Sequence, residues 1–207
     1  MTACRRCKRL ASFLDDVRDR YPRYHAKPVP AFGDPSPQLL IVGLAPGMHG
    51  ANRTGRPFTG DYAGELLYST LYRFGWSNEP RSVDAQDDLR LRGCRITNAV
   101  KCLPPENKPA PAEVRQCNDY LAAELDAMAA GTAVLALGLV AHKAVLLALR
   151  RRIADHVFSH GAEHMLANHI RLFDSYHCSR YNTQTKRLTA SMFEAVFERI
   201  ACYTGHS

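Results

Sequence analysis

The sequence predicts an α/β fold built on a mostly parallel central sheet. Two observations carry that expectation. Four short apolar or β-branched runs recur along the chain: QLLIVGLA (38–45), CRITNAV (94–100), AVLALG (133–138) and HIRLFDSY (169–176). Segments of helical periodicity separate them. Near-continuous apolar runs are what strands buried on both faces look like, and their alternation with helices implies crossover connections between parallel neighbours. At 207 residues the chain is long enough to bury a core of its own, and one domain over 1–207 is expected.

Each element has its own signal. The first thirty residues are basic and end in Lys27-Pro28-Val29-Pro30, which predicts a short amphipathic helix and then an extended connection. Residues 62–74 put Leu66, Leu67, Thr70, Leu71 and Phe74 on one helical face. Residues 111–129 open with Pro111, suited to a first helical turn, and carry Val114, Cys117, Tyr120, Leu121 and Leu125. Residues 139–149 predict an apolar helix directly after Gly138, and 185–202 predict the last helix. The polar stretch 76–93 reads as a surface excursion.

Composition narrows the function classes. Lys and Arg number 27 against 20 Asp and Glu, a net charge of +7 that favours a polyanionic partner. No apolar run approaches the roughly 20 residues needed to cross a bilayer, and the N-terminus lacks the apolar core of a secretory signal. A cytoplasmic protein with no membrane attachment is expected. Seven cysteines are then more readily metal or cluster ligands than disulfides. Cys4 and Cys7 form C-x-x-C, and Cys102 and Cys117 have fourteen residues between them, where packing of the N-terminal helix could join all four. Four thiolates suit Zn²⁺ or a [4Fe–4S] cluster. Cys94, Cys178 and Cys202 read as bystanders.

Ligands of a parallel sheet bind at the carboxyl ends of its strands. After the first run comes GLAPGMHGANRTGRPFTGD (43–61), nineteen residues with five glycines. Glycine lets backbone approach a ligand closely, but the pattern matches neither a dinucleotide fingerprint nor a P-loop. Phe58 is a candidate stacking platform, and Asp61 suits the N-cap of the helix that follows. Asn98, at the end of the second run, offers a donor and an acceptor, as reading the edge of a base requires. His177, after the fourth run, can stabilise a developing anion or move a proton. His156, His160 and His164 stand four apart, but Gly161 interrupts any helix there and no acidic partner is evident. They are read as structural.

The three loops GLAPGMHGANRTGRPFTGD, TNAVKC and SYHCSRYNTQTKRLT closely resemble the active-site segments of family 5 uracil-DNA glycosylases, and the four cysteines match the cluster ligands of families 4 and 5. The resemblance spans residues 4 to 189. It implies a three-layer α/β/α sandwich around a four-stranded, mostly parallel sheet, and a structural [4Fe–4S] cluster held by Cys4, Cys7, Cys102 and Cys117, with residues 1–30 contributing ligands. It implies that Phe58 stacks on a flipped-out uracil, that Asn98 reads its O4 and N3 edge and that His177 bonds O2. Gly43, Ala45 and Gly47 complete the pocket, and Arg53, Arg56, Arg180, Lys186 and Arg187 face DNA.

The implied activity is hydrolysis of the N-glycosidic bond of uracil in DNA, extended to other deaminated bases such as hypoxanthine, by a monomer. No lysine is placed as a Schiff-base nucleophile, so no lyase step is expected. Leu44 and Ala45 stand where many relatives carry a polar residue for the hydrolytic water, which leaves Asp61 to orient it or to stabilise the sugar cation. Cys178 replaces a frequent proline, and Tyr181 is unusual in the intercalating loop. Two alternatives stand beside this reading: a non-catalytic uracil- or DNA-binding module on the same fold, and a zinc-stabilised nucleic-acid binder.

Overall fold

In the computed structural model, which describes residues 1–166 and 169–206, the four apolar runs are parallel neighbours in one sheet. In chain order the strands are β1 (Phe32–Gly33), β2 (Leu39–Gly43), β3 (Cys94–Asn98), β4 (Ala133–Leu137), β5 (Glu163–Met165) and β6 (Arg171–Ser175). Their spatial order is β1-β3-β2-β4-β6-β5. The inner four are parallel, and β1 and β5 add antiparallel edges. The four-stranded expectation omitted these edges because strands of two and three residues are too short to display a period.

Side chains of the inner strands alternate between two cores. On one face Leu39, Ile41, Leu135, Leu137 and Phe173 pack under α3 (Tyr62–Arg73) and α7 (Ala190–Thr204) through Leu67, Leu71, Phe193 and Phe197. On the other face Leu40, Val42, Val134, Ala136 and Leu172 meet α4 (Pro111–Asp126) and α5 (Leu139–Ala148) through Leu121, Leu125, Ala141 and Val145. Period-two alternation in strands buried on both sides is what makes three layers. Each buried Leu or Phe contributes roughly 1.5–3 kcal/mol relative to exposure.

The N-terminal helix α1 (Lys8–Arg20) buries Leu10, Ala11, Leu14 and Val17, a stripe at helical spacing. Ion pairs fix it to α4: Arg9 grips Glu113 with two bonds of 2.8 and 2.7 Å, and Arg6 reaches Asp119 at 2.6 Å. Glu113 also accepts from the Ala110 N–H at 2.7 Å, so one carboxylate both caps α4 and holds α1.

The segment 76–93 is less peripheral than its polarity suggests, for Trp76, Leu89 and Leu91 are core residues. The last helix starts at Ala190, not at 185. Thr189 caps it by accepting from the Met192 N–H, and Lys186 sits at φ 57°, which separates it from a short helix α6 (Arg180–Gln184). Among the described residues no helix is long and apolar enough to cross a membrane.

Candidate functional site

The carboxyl ends of β2, β3 and β6 deliver their loops to one cleft of about 450 Å³. Its lining includes Leu44, Ala45, Gly47, Phe58, Asp61, Asn98, His177 and Arg180. The expected base-binding and catalytic residues are therefore neighbours, although they come from three separate stretches of sequence. Register sets the meeting point, since Gly43 of β2 pairs directly with Asn98 of β3.

Gly43 explains how closely the cleft residues pack. A Cβ there would lie 2.5 Å from Asn98 Oδ1 and 2.6 Å from Phe58 Cζ. Only a residue without a side chain lets the amide and the ring approach each other. Phe58 is 6% exposed and holds φ 54°, a left-handed conformation costly for an aromatic residue. Two contacts maintain it: Tyr68 donates to the Pro57 carbonyl at 2.9 Å, and Gly64 lies against the Phe58 carbonyl so closely that a Cβ would clash.

Asn98 is 3% exposed, and its Oδ1 is buried without a hydrogen-bond partner. A buried unpaired acceptor costs about 1–3 kcal/mol, so this side chain is set for a donor that the protein does not supply. The backbone behind it is braced: the Ala99 N–H donates to the Gly43 carbonyl at 2.9 Å and the Val100 N–H to that of Leu44 at 3.0 Å.

Asp61 combines two arrangements. Its Oδ1 accepts from the Gly64 N–H at 3.1 Å and so caps α3. Its Oδ2 points at the glycine loop, where a Cβ on Gly50 would meet it at 2.3 Å and one on Gly47 at 3.5 Å. Burial raises the Asp61 pKa above the ordinary carboxylate value, against the lowering effect of the Gly64 and Ala63 N–H groups. The cap and the cleft-facing oxygen are thus compatible.

His177 follows β6 and is half-buried, its ring 5.9 Å from that of Phe58 with the planes inclined by 27°. Desolvation lowers its pKa to about 4, so the imidazole is neutral at physiological pH. Asn182 donates to the His177 carbonyl at 2.8 Å, tying the histidine to α6.

The basic residues divide. Arg180 lines the cleft and lies over the Tyr62 ring, 5.5 Å from its centroid. Lys186 and Arg187 are exposed on the neighbouring loop, and Arg53 donates to the His49 carbonyl at 2.7 Å. Arg56 departs from expectation. It is 6% exposed, paired with Asp87, bonded to Ser82 Oγ at 3.1 Å and the Ala85 carbonyl at 2.9 Å, and stacked on Phe32. Its guanidinium staples the 76–93 excursion to the glycine loop. Tyr62, Asn107 and Ser179 line the cleft without having been expected there. Asn107 stands at φ 56°, a conformation asparagine tolerates well, in the Pro-Pro-Glu-Asn turn after Cys102.

Cys4, Cys7, Cys102 and Cys117 converge on an enclosed void shared with Leu10, Val100 and Tyr120. None forms a disulfide. The Lys101 N–H donates to Cys117 Sγ at 3.3 Å. Burial, reinforced by the neighbouring Cys117, Cys4 and Cys7, pushes the Cys102 thiol up to about 12. Thiolates gathered this closely call for a cation among them, so the donor set fits a metal centre. Lys101 is 1% exposed and bonds Glu124 at 2.9 and 3.0 Å, bracing the three-residue link between Asn98 and Cys102.

Residues 30–201 match the family model described as "Uracil DNA glycosylase superfamily". The chain belongs to that superfamily. Among curated members, the Type-5 uracil-DNA glycosylase of Thermus thermophilus is 48% identical, over 93% of this chain and 90% of its own. The enzyme of the same name from Pyrobaculum aerophilum is 43% identical over 98% of this chain and 89% of its own. A Type-4 uracil-DNA glycosylase from Archaeoglobus fulgidus is 34% identical over only 61% of this chain. The superfamily assignment agrees with the parallel-rich α/β architecture and with a cleft at the strand ends.

Proposed function

We propose that this protein is a DNA-repair glycosylase that hydrolyses the N-glycosidic bond of deoxyuridine in DNA and leaves an abasic site. The observation that carries the reading is the unpaired, buried Asn98 Oδ1 beside the Phe58 ring, made possible by Gly43. Uracil presents an N3–H donor next to an O4 acceptor. An asparagine amide complements that pair, and a flat aromatic ring stacks on the base.

In this reading the flipped base lies against Phe58 with its N3–H on Asn98 Oδ1. His177 donates from its neutral ring to O2 as negative charge gathers on the departing uracil. A neutral donor suits an anion that must not be protonated early, and burial in the cleft strengthens the bond. Asp61 Oδ2, facing the glycine loop, orients water toward the sugar or stabilises its cationic character. No lysine lines the cleft among the described residues, which supports a monofunctional hydrolase. Hypoxanthine carries the same N–H beside C=O on its edge, so Asn98 would also accept deaminated adenine. Arg53, Arg180, Lys186 and Arg187 supply phosphate contacts, while Arg56 is committed elsewhere.

The four thiols would hold a [4Fe–4S] cluster. Support for the cluster over zinc is the match of these four cysteines to the ligand set of families 4 and 5, together with their convergence on one void. When bound, the cluster supplies cross-linking of α1, the Cys102 loop and α4, and the chemistry in the cleft proceeds on protein groups alone. The protein is read as a monomer.

The test is release of free uracil from a labelled oligonucleotide. The expected result is uracil release and an alkali-labile abasic site, with no strand nicking before alkali. Binding of U-containing duplex without release would favour the non-catalytic module instead.

A further inference from the structure

The His142, His164 and Asp174 group lies away from the cleft, against the opposite core. Asp174 on β6 is fully buried. His142 on α5 approaches its Oδ1 through Nδ1 at 2.8 Å, and His164 on β5 approaches its Oδ2 through Nε2 at 3.0 Å. His142 is also fully buried, and His164 keeps only 12% of its side chain exposed. The ring of His156 stands edge-on to that of His164, centroids 5.4 Å apart.

The other nitrogen of His142 decides what this group can be. Nε2 lies 3.0 Å from the His156 carbonyl oxygen. A carbonyl only accepts, so Nε2 carries the proton. In a neutral imidazole Nδ1 is then a lone pair, and it faces a carboxylate oxygen that is also a lone pair. Two lone pairs at 2.8 Å repel, so either a proton or a metal ion lies between them. A buried imidazolium would relieve the conflict at the cost of desolvating a charge. A metal ion relieves it with the histidine neutral, the two atoms parting to the ~3.4 Å that tetrahedral ligands about 2.1 Å from one ion require, and a ring N–H fixed on a backbone carbonyl is how proteins aim the other nitrogen at a metal.

We propose that His142 Nδ1, His164 Nε2 and the Asp174 carboxylate form a site for a divalent first-row cation, zinc in the first instance, with His156 as the neighbouring candidate for a fourth ligand. Two imidazoles and a carboxylate are ligands zinc accepts. The three donor atoms lie within 4.8 Å of one another, and since ligands about 2.1 Å from one ion stand at most about 4.2 Å apart, a small side-chain closure brings them onto it. The site joins α5, β5 and β6 and, through His156, the irregular segment after α5. That segment is held mainly by short turns around Ile153–Asp155, so a bound ion would also pin it to β6, the strand that precedes His177. The sequence pattern concealed the set because the acid and the third imidazole lie outside the His156–His160–His164 spacing.

The experiment is metal analysis of the purified holoprotein, iron and zinc together, after loading with zinc and exhaustive buffer exchange. His164→Gln keeps an N–H for Asp174 and removes the ligand; Asp174→Asn is a second variant. The wild type should retain roughly one zinc per chain beyond its iron and melt at higher temperature with zinc than after chelation by a zinc-selective agent. His164→Gln should lose the zinc and that thermal shift, keep its iron, and keep uracil release. Absence of retained zinc in the wild type overturns the proposal. So does zinc that persists in His164→Gln, because it would then reside on the thiols.

Discussion

Phe58 and His177 face one another across the cleft, their ring centroids 5.9 Å apart and their planes 27° from parallel. The aromatic ring helps strip water from the imidazole, and that desolvation holds the His177 pKa near 4. The unfolded chain would titrate near 6.5. Between these values the unfolded state binds the extra proton, so this histidine's contribution to stability is fully present above about 6.5 and is lost as pH falls toward 4. Activity should show no limb from His177 between pH 6 and 8. The acid limb should instead reflect Asp61, whose burial raises its pKa. Imidazole NMR on wild type and Phe58→Ala tests the cause: the variant's His177 should titrate closer to 6.5. An unchanged value would mean that other neighbours desolvate the ring.

Gly43→Ala tests the close approach of amide and ring. A methyl 2.5 Å from Asn98 Oδ1 and 2.6 Å from Phe58 Cζ forces one of them to move. Overpacking of this kind costs about 1–3 kcal/mol of stability. Loss of alignment should lower kcat/KM on U-containing DNA by at least ~10²-fold, similar to Asn98→Ala. Binding of undamaged duplex should change little. Near-normal turnover in folded Gly43→Ala would separate Asn98 from base reading.

Legibility followed physical range. The inner strands were visible because burial on both faces leaves continuous apolar runs such as Leu39–Gly43, whereas the edges β1 and β5 have no such run. Phe58, Asn98 and His177 could be placed because strand ends and glycine loops are local signals. Arg56 could not: its partners Ser82, Ala85 and Asp87 are 26 to 31 residues away, and a basic residue in a loop reads as exposed until they are seen. The pairing of His142 with Asp174 spans 32 residues and joins different layers, so no spacing rule reaches it.

Asp61 caps α3 and is proposed to act on the water or the sugar, two roles that substitution can separate. Asn is as good an N-cap as Asp, so Asp61→Asn should keep α3 capped and change stability by only a few tenths of a kcal/mol. It removes the charge, and uracil release should fall by roughly 10²-fold or more. Asp61→Ala loses the cap as well, at about 1 kcal/mol, with a similar loss of rate. Thermal melts beside single-turnover assays distinguish the outcomes. Full activity in Asp61→Asn with a drop in stability for Asp61→Ala would leave Asp61 as a cap alone.

Arg9 and Glu113 are expected to govern retention of the metal centre. Their paired bonds at 2.8 and 2.7 Å hold the helix that follows Cys4 and Cys7 against the helix that carries Cys117. The Arg9 side chain is about half exposed, so the pair contributes modestly, on the order of 1 kcal/mol, and its effect should appear in opening rates more than in global stability. Arg9 also holds the Glu113 carboxyl below its ordinary range, so the pair's contribution is complete above the unfolded pKa and is lost as pH falls through the depressed value. Arg9→Ala should therefore lose the proposed cluster to a ferrous chelator several-fold faster than wild type, followed as decay of visible absorption. The difference between the two proteins should shrink in acid, where Glu113 is protonated in both. Equal decay rates at neutral pH would show that the apolar stripe of Leu10, Leu14 and Val17 suffices to keep the helix docked.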